Sequence, residues 1–152
     1  MTDHVSTYTR QVLVGLAQLL ADNDIGAYKP AGYATSDVGI VFGAWPKTPA
    51  TAIKLNAYDE VIRAGMVTDL YVQVATRVAK SYLASLDVTD HLRDLLHRRS
   101  HFSLGDVTIG LCVRTSLMDL GRDTTNDLYE HTSNFRLTGL RWLQPIHTPQ
   151  GD

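Results

Sequence analysis

The chain has 152 residues, of which 44% are hydrophobic and 20% are charged, and its formal net charge is -2 at pH 7. This length suits one domain that buries roughly 70% of its unfolded surface, so we expect 1–152 to form a single domain. The basic residues are spread along the chain, which argues against sequence-specific DNA binding. The longest apolar run, Val12–Leu20, is too short to span a bilayer. The single cysteine, Cys112, excludes an intramolecular disulfide and fits a reducing cytosol.

The first predicted element is an amphipathic helix, because apolar residues recur at three- and four-residue spacing. We expect it from about Ser6 to Ala21, with Ser6 or Thr7 as the N-cap. Its apolar positions are Val5, Tyr8, Val12, Leu13, Leu16, Leu19 and Leu20. A loop rich in Asp, Asn, Gly and Pro follows, and the apolar residues of Asp37–Phe42 predict a short strand.

Two further strands and a second helix are predicted in the middle of the chain. Ala52–Asn56 alternates apolar and polar residues, as a half-buried strand does. A ten-residue connection over Asp59–Thr68 leads to a clearer strand, Leu70–Val78. Helical spacing returns over Ser81–Arg98, and the basic His97–His101 segment is expected at the end of this helix, where it complements the helix dipole.

A β-hairpin with a long polar tip is predicted for the C-terminal third. Apolar and polar residues alternate in Asp106–Ser116 and again in Tyr129–Gly139, which is typical of strands. The intervening Ser116–Leu128 is rich in Gly, Asp, Asn and Thr, so we expect it to be a loop. The last residues, about 143–152, are expected to form a loose tail.

These elements predict the fold class. Their order, α-β-β-β-α-β-β, does not alternate strands and helices throughout, so a parallel α/β sheet is not expected. We expect an α+β fold in which two helices pack on one face of a mainly antiparallel, four- to five-stranded sheet. No repeat, low-complexity run or linker divides the sequence.

The polar stretch Leu120–Leu137 contains several reactive side chains, among them Arg122, Asp123 and His131. On a strand, His131 and Ser133 share a face at about 7 Å, which is too far for a direct hydrogen bond. The nucleophile-elbow, phosphate-loop and dinucleotide-binding motifs do not occur in the sequence. We therefore expect no enzymatic activity, cofactor or metal site. A small enzyme or ligand-binding protein that uses Arg122, Asp123 and His131 is the remote alternative.

The order of short motifs along the chain resembles a known family. A Pro-containing segment, WPKTPA, enters a strand, and a strand–helix unit follows from Tyr71 to Arg99. A pattern LG-x-D and then E-x-T-x-N-aromatic comes next, at Leu120, Gly121, Asp123, Glu130, Thr132, Asn134 and Phe135. Over roughly Tyr8 to Leu140, this order resembles the tail terminator proteins of long-tailed, non-contractile bacteriophages, a family also described as minor capsid or tail completion proteins.

This resemblance implies a structural role in the virion. Tail terminators form a ring, typically a hexamer, on the head-proximal end of the tail tube, where they end polymerisation and present the surface for head attachment. The implied partners are other copies of the chain, the major tail tube protein and a head-closure or connector protein, with no membrane. Genomic DNA passes through the ring without sequence-specific binding. The implied location is the head–tail junction, after assembly in the host cytoplasm. Another head–tail connector component, a head-closure or adaptor protein, is the alternative.

A ring of identical subunits uses heterologous contacts, in which two different patches of each subunit meet. Such contacts bury roughly 1,000 Å² or more and often contain aromatic and Arg anchors. On that basis we expect the assembly interface to include residues of the motif segment and of the strand that begins near Leu70. They are Arg122, Asp123, Asp127, Glu130, Asn134, Tyr71 and Arg77.

Overall fold

The computed structural model describes residues 7–141, which form two helices and six strands. In chain order they are α1 (Tyr8–Asp22), β1 (Gly39–Phe42), β2 (Ala52–Ile62), β3 (Val67–Ala79), α2 (Tyr82–Leu96), β4 (Arg99–Leu104), β5 (Val107–Asp123) and β6 (Leu128–Leu140). Thr7 is the N-cap residue of α1, and its side chain accepts no capping hydrogen bond. The alternative N-cap Ser6 and the expected tail at 143–152 lie outside the described residues.

All six strands belong to one sheet, in the order β1-β2-β3-β6-β5-β4. β1 is parallel to β2, and every other neighbouring pair is antiparallel. The prediction of an α+β fold with two helices is therefore confirmed. The predicted number of strands, four to five, was too low, because the sheet has six strands. The sheet is also mixed, because β1 is parallel to β2.

The additional strand, β4, comes from the basic segment that was predicted to end the second helix. α2 begins after Ser81, whose Oγ accepts a hydrogen bond from the backbone N–H of Ala84, and ends at Leu96. Arg98 then adopts a positive φ of 66° and donates its N–H to the carbonyl of Cys112 at 2.7 Å. This turn redirects the chain onto β5, so the helical prediction for residues 97–98 was wrong.

Two segments that were predicted to be loops belong largely to strands. The expected connection over Asp59–Thr68 is a tight turn, because β2 continues to Ile62 and β3 begins at Val67. The expected long tip at Ser116–Leu128 is likewise short, because β5 continues to Asp123 and β6 begins at Leu128. The added parts of β2 and β5 carry mainly exposed side chains, so no buried face imposes a regular alternation of apolar and polar residues there. The added part of β3 contains the buried polar residues Thr68 and Asp69, which a search for apolar alternation does not detect.

One hydrophobic core lies between the two helices and one face of the sheet. It contains Val12, Leu16 and Leu20 of α1 and Leu92 and Leu96 of α2. The sheet supplies the alternate residues Ile53, Leu55, Leu70, Val72, Val74, Ile109, Phe135 and Leu137. Burial of each such side chain contributes roughly 1.5–3 kcal/mol. Within residues 7–141, no helix is long and apolar enough to cross a membrane.

Candidate assembly surface

The sheet face opposite the helices is polar, and it brings together four of the seven predicted interface residues. Val72 and Val74 point into the core, so the alternate side chains of β3 lie on the opposite face. Cross-strand neighbours there include Tyr71 with Arg136 and Arg77 with Glu130. We call this surface the polar face; its residues on β3 and β6 are Tyr71, Gln73, Arg77, Glu130, Thr132, Asn134 and Arg136.

A short chain of hydrogen bonds crosses the polar face at its centre. Gln73 is opposite Asn134 in the β3–β6 register, and its Nε2 donates to Asn134 Oδ1 at 3.5 Å. Asn134 Nδ2 in turn donates to Ser116 Oγ on β5 at 2.9 Å. The predicted residue Asn134 therefore links three neighbouring strands, and Gln73 and Ser116 are partners that the motif pattern did not indicate.

Arg77 fixes the segment between β1 and β2 over one end of the polar face. Its Nε donates to the carbonyl of Ala50 at 2.7 Å, and its Nη2 donates to the carbonyls of Pro46 and Pro49 at 2.6 and 3.0 Å. The guanidinium also lies 4.8 Å from the centre of the Trp45 ring. Burial lowers the pKa of Arg77. These contacts give Arg77 a structural task inside the subunit, and its predicted interface role remains a prediction.

The other end of the polar face contains a buried carboxylate that the sequence analysis missed. Asp69 is 1% exposed, and a buried charge is costly unless it is paired. Its Oδ2 lies 2.6 Å from Arg63 Nη2, and its Oδ1 accepts a hydrogen bond from Thr138 Oγ1 at 2.6 Å. Nearby, Arg141 Nη1 lies 2.7 Å from Glu60 Oε2. Ion pairs therefore fasten β2, β3 and the end of β6 together.

The remaining three predicted residues form a compact turn at the tip of the β5–β6 hairpin. Arg122 Nε lies 2.7 Å from Asp127 Oδ1, with both side chains about half exposed. Asp123 Oδ1 accepts from the Thr125 N–H and Oδ2 from Asn126 Nδ2, each at 3.0 Å. The hydrogen bonds from Asn126 and then from Thr125 lower the pKa of Asp123. The carboxylates thus stabilise the turn and remain near the surface.

The sequence pattern predicted that Arg122 and Asp123 lie in a loop. This prediction was wrong, because they are the last two residues of β5. They pair with Tyr129 and Leu128 of β6. Gly121 precedes them with a φ of +87°, a conformation that a residue with a Cβ rarely adopts. This bulged position lets the strand continue to the tip even though its sequence resembles a loop.

His131, the third residue of the enzyme alternative, lies under α2 and is 2% exposed. Its ring stacks on Tyr82 with the centroids 6.2 Å apart, and its Nε2 lies 3.6 Å from Asp119 Oδ2. Tyr82 Oη also donates to Asp119 at 3.2 Å. The N–H of Gly121 is the main cause that lowers the pKa of Asp119. His131 therefore contacts α2 and β5, whereas Arg122 is bound to Asp127 at the tip.

A separate groove of about 510 Å³ lies between α1 and β1. Its lining is mainly apolar and aromatic, with Arg10 as the charged residue. It is lined by none of the predicted site residues. Within residues 7–141, no group of three or more His, Cys, Asp or Glu side chains could hold a metal ion.

Comparison with known proteins decides the family. A family model described as bacteriophage tail terminator protein matches residues 19–141, which is most of the chain. The chain belongs to the bacteriophage tail terminator family. The resemblance drawn from the order of motifs is therefore confirmed, and membership in this family makes the chain a structural protein of the phage tail.

A solved structure shares the fold of this tail terminator family member. It is a chain described as part of the virion of a native gene transfer agent particle, and it aligns with a TM-score of 0.54 at 14% identity. The alignment covers 66% of this chain and 78% of that chain. A comparison with curated proteins gave no match.

Proposed function

We propose that this tail terminator family member closes into a ring, with six copies expected, on the head-proximal end of the tail tube. There it stops tube polymerisation and forms the surface to which the head attaches. The observation that carries the proposal is the family match over residues 19–141. Its partners are further copies of the chain, the major tail tube protein and a head-closure or connector protein at the head–tail junction.

The two unlike faces of the sheet support a ring around a channel. The helices cover one face and bury its apolar residues, which leaves the polar face as the surface that can line a passage. Arg77 donates to three backbone carbonyls, and Arg63 is paired with Asp69. These contacts limit the phosphate contacts that the two guanidinium groups could make with DNA. Genomic DNA can therefore pass the polar face without sequence-specific binding.

The hairpin tip is the proposed contact with the tube or with a neighbouring subunit. Arg122, Asp123 and Asp127 hold a defined turn and keep part of their polar surface in solvent. A preordered surface loses little conformational entropy when it binds. A head-closure or adaptor protein would need a similar surface, and no contact within the subunit favours that alternative over the terminator.

Tube capping tests the proposal directly. The purified chain is mixed with tail tubes of the same phage, sedimented and imaged by negative-stain electron microscopy, and tube protein is polymerised with and without it. We expect co-sedimentation, a ring at one end of each tube and an arrest of elongation. The control variant Leu83→Ser changes an exposed side chain of α2 away from the proposed surfaces, and it should cap tubes as the wild type does. Tubes with bare ends that elongate equally in the presence of the protein contradict the proposal, whereas a monomer in free solution does not, because binding to the tube can drive assembly.

A further inference from the structure

Two long strand edges lack a strand partner within residues 7–141. β1 pairs with β2 only along Ala52–Leu55, so β2 has an open edge from Asn56 to Ile62. β4 pairs with β5 only as far as Cys112, and His97 Nδ1 accepts the N–H of Arg114. The open edge of β5 therefore runs from about Ser116 to Asp123. An unpaired edge presents N–H and C=O groups that can pair with another chain.

Both open edges contain charged residues and a register shift, which are two of the devices that protect edge strands. Lys and Pro, which blunt edges, do not occur in either segment. Both segments instead expose apolar side chains: Tyr58 (53%), Val61 (44%) and Ile62 (71%) on β2, and Leu117 (41%), Met118 (59%) and Leu120 (52%) on β5. Exposed apolar groups of this kind indicate a surface that is covered by a partner.

We propose that the open edge of β5 in one copy pairs with the open edge of β2 in the next copy, so that the sheet continues around the ring. This inference rests on the ring described under the proposed function. The strand directions support it. β2 is antiparallel to β3, β3 to β6 and β6 to β5, so β5 runs opposite to β2. Rotation about a ring axis preserves these directions, and the new pair is therefore antiparallel like its neighbours.

The faces of the two edges also fix a register. Val61 is opposite Asp69 and Met118 is opposite Thr132, which places both side chains on the side of the polar face. Ile62 and Leu117, the next residues on each strand, lie on the helix side. An antiparallel pairing with Val61 opposite Met118 brings Ile62 opposite Leu117. Apolar cross-strand pairs then form on both sides of the new strand pair.

The position of the two edges along the sheet agrees with a closed, tilted sheet. Val61 lies level with Asp69 and Thr138, whereas Met118 lies level with Thr132. These β6 positions are six residues apart (138 − 132 = 6), which is roughly 20 Å along a strand. The four strands from β2 to β5 span roughly 19 Å per subunit at about 4.8 Å each. A strand tilt of roughly 45° brings the edges level, close to the tilt of about 35–45° in closed sheets.

Irregularities in both edge strands are consistent with such closure. The pairing register shifts once in β2, at Tyr58, and three times in β5, at Gly110, Thr115 and Leu120. Extra residues of this kind bend a strand and increase its twist, and designed closed sheets use them to produce curvature. All four shifts therefore lie on the two strands that would join neighbouring subunits.

Cysteine cross-linking on tube-bound protein tests this pairing. The variant Val61→Cys/Met118→Cys is oxidised mildly and separated on a non-reducing denaturing gel, with both single variants alongside. Directly opposed strand residues are close enough for a disulfide. We expect a ladder of covalent multimers that disappears on reduction. The matched control Val61→Cys/Leu83→Cys places the second cysteine on an exposed position of α2 and should give no ladder.

The outcomes separate the edge pairing from the ring itself. Rings at tube ends with no ladder from the edge variant, or with an equal ladder from the α2 control, overturn the edge pairing and leave the ring intact. Absence of rings for the wild type overturns both. Ile62→Lys provides a second test at an exposed side chain. It should abolish ring formation without changing the thermal unfolding midpoint of the monomer, and normal rings from this variant overturn the pairing.

Discussion

Gly15 of α1 lies directly against Leu104 at the end of β4. A Cβ at position 15 would be 2.8 Å from the Leu104 Cβ and 2.9 Å from its Cα. The contact involves backbone as well as side-chain atoms, so a small rotation of one side chain cannot relieve it. This close approach joins the first helix to the outermost strand of the sheet.

Gly15→Ala should therefore lower the free energy of unfolding, although the same exchange inside an exposed helix raises it by up to about 1 kcal/mol. Overpacking of this kind costs roughly 1–3 kcal/mol. Chemical denaturation measures the change. Gly110→Ala is the control, because a Cβ there would meet its nearest atom at an ordinary 3.6 Å. An unchanged or increased stability of Gly15→Ala would show that α1 and β4 are less tightly packed.

Arg77→Lys should loosen the segment between β1 and β2. A lysine carries one ammonium group and cannot reproduce the planar set of donors that Arg77 directs to the carbonyls of Ala50, Pro46 and Pro49. We expect a loss of roughly 1–3 kcal/mol in stability and faster proteolysis within residues 43–51. Arg136→Lys, on the same face, is the control. Identical proteolysis of the two variants would contradict the role assigned to Arg77.

Cys112 should resist alkylation in the folded protein. The thiolate is the reactive form, and burial raises the pKa of this thiol to about 12. At pH 8, we expect iodoacetamide to label the chain only after denaturant is added, as measured by intact mass. Stoichiometric labelling under native conditions would mean that β5 opens readily at this position.

Acid should weaken the hairpin tip through Asp123. Its pKa is lowered in the folded state by Asn126 and Thr125. The resulting stabilisation is present above the ordinary Asp pKa of about 3.9 and is lost as the pH falls through the lower folded value. Between about pH 5 and about pH 2, the range in which carboxylates are protonated, the thermal midpoint of Asp123→Asn should therefore fall less than that of the wild type. Asp87→Asn on α2 is the control, and equal slopes for Asp123→Asn and wild type would contradict this contribution.

The helices were predictable because a single buried face imposes its period on their residues, as with Val12, Leu16 and Leu20. The full extent of the strands was not. Leu117 and Met118 are both exposed on an open edge, so burial does not separate the two sides of β5 there. β4 follows a turn at Arg98 that depends on a bond to the distant Cys112.

The candidate surface was also predictable only in part. Alternation along β3 places Tyr71 and Arg77 on the face opposite Val72 and Val74. The partners of Arg77 lie about thirty residues earlier in the chain, and no local pattern indicates them. The motif segment identified the family correctly. The strand register was needed to show that Arg122, Asp123 and Asp127 lie at the hairpin tip while Glu130 and Asn134 lie on the polar face.

Electron microscopy of tail tubes incubated with the protein is the most direct test of the proposed capping function. We expect a single ring at one end of each tube, with tube length fixed after the ring binds. Tubes that keep bare ends and continue to elongate at saturating protein would contradict it.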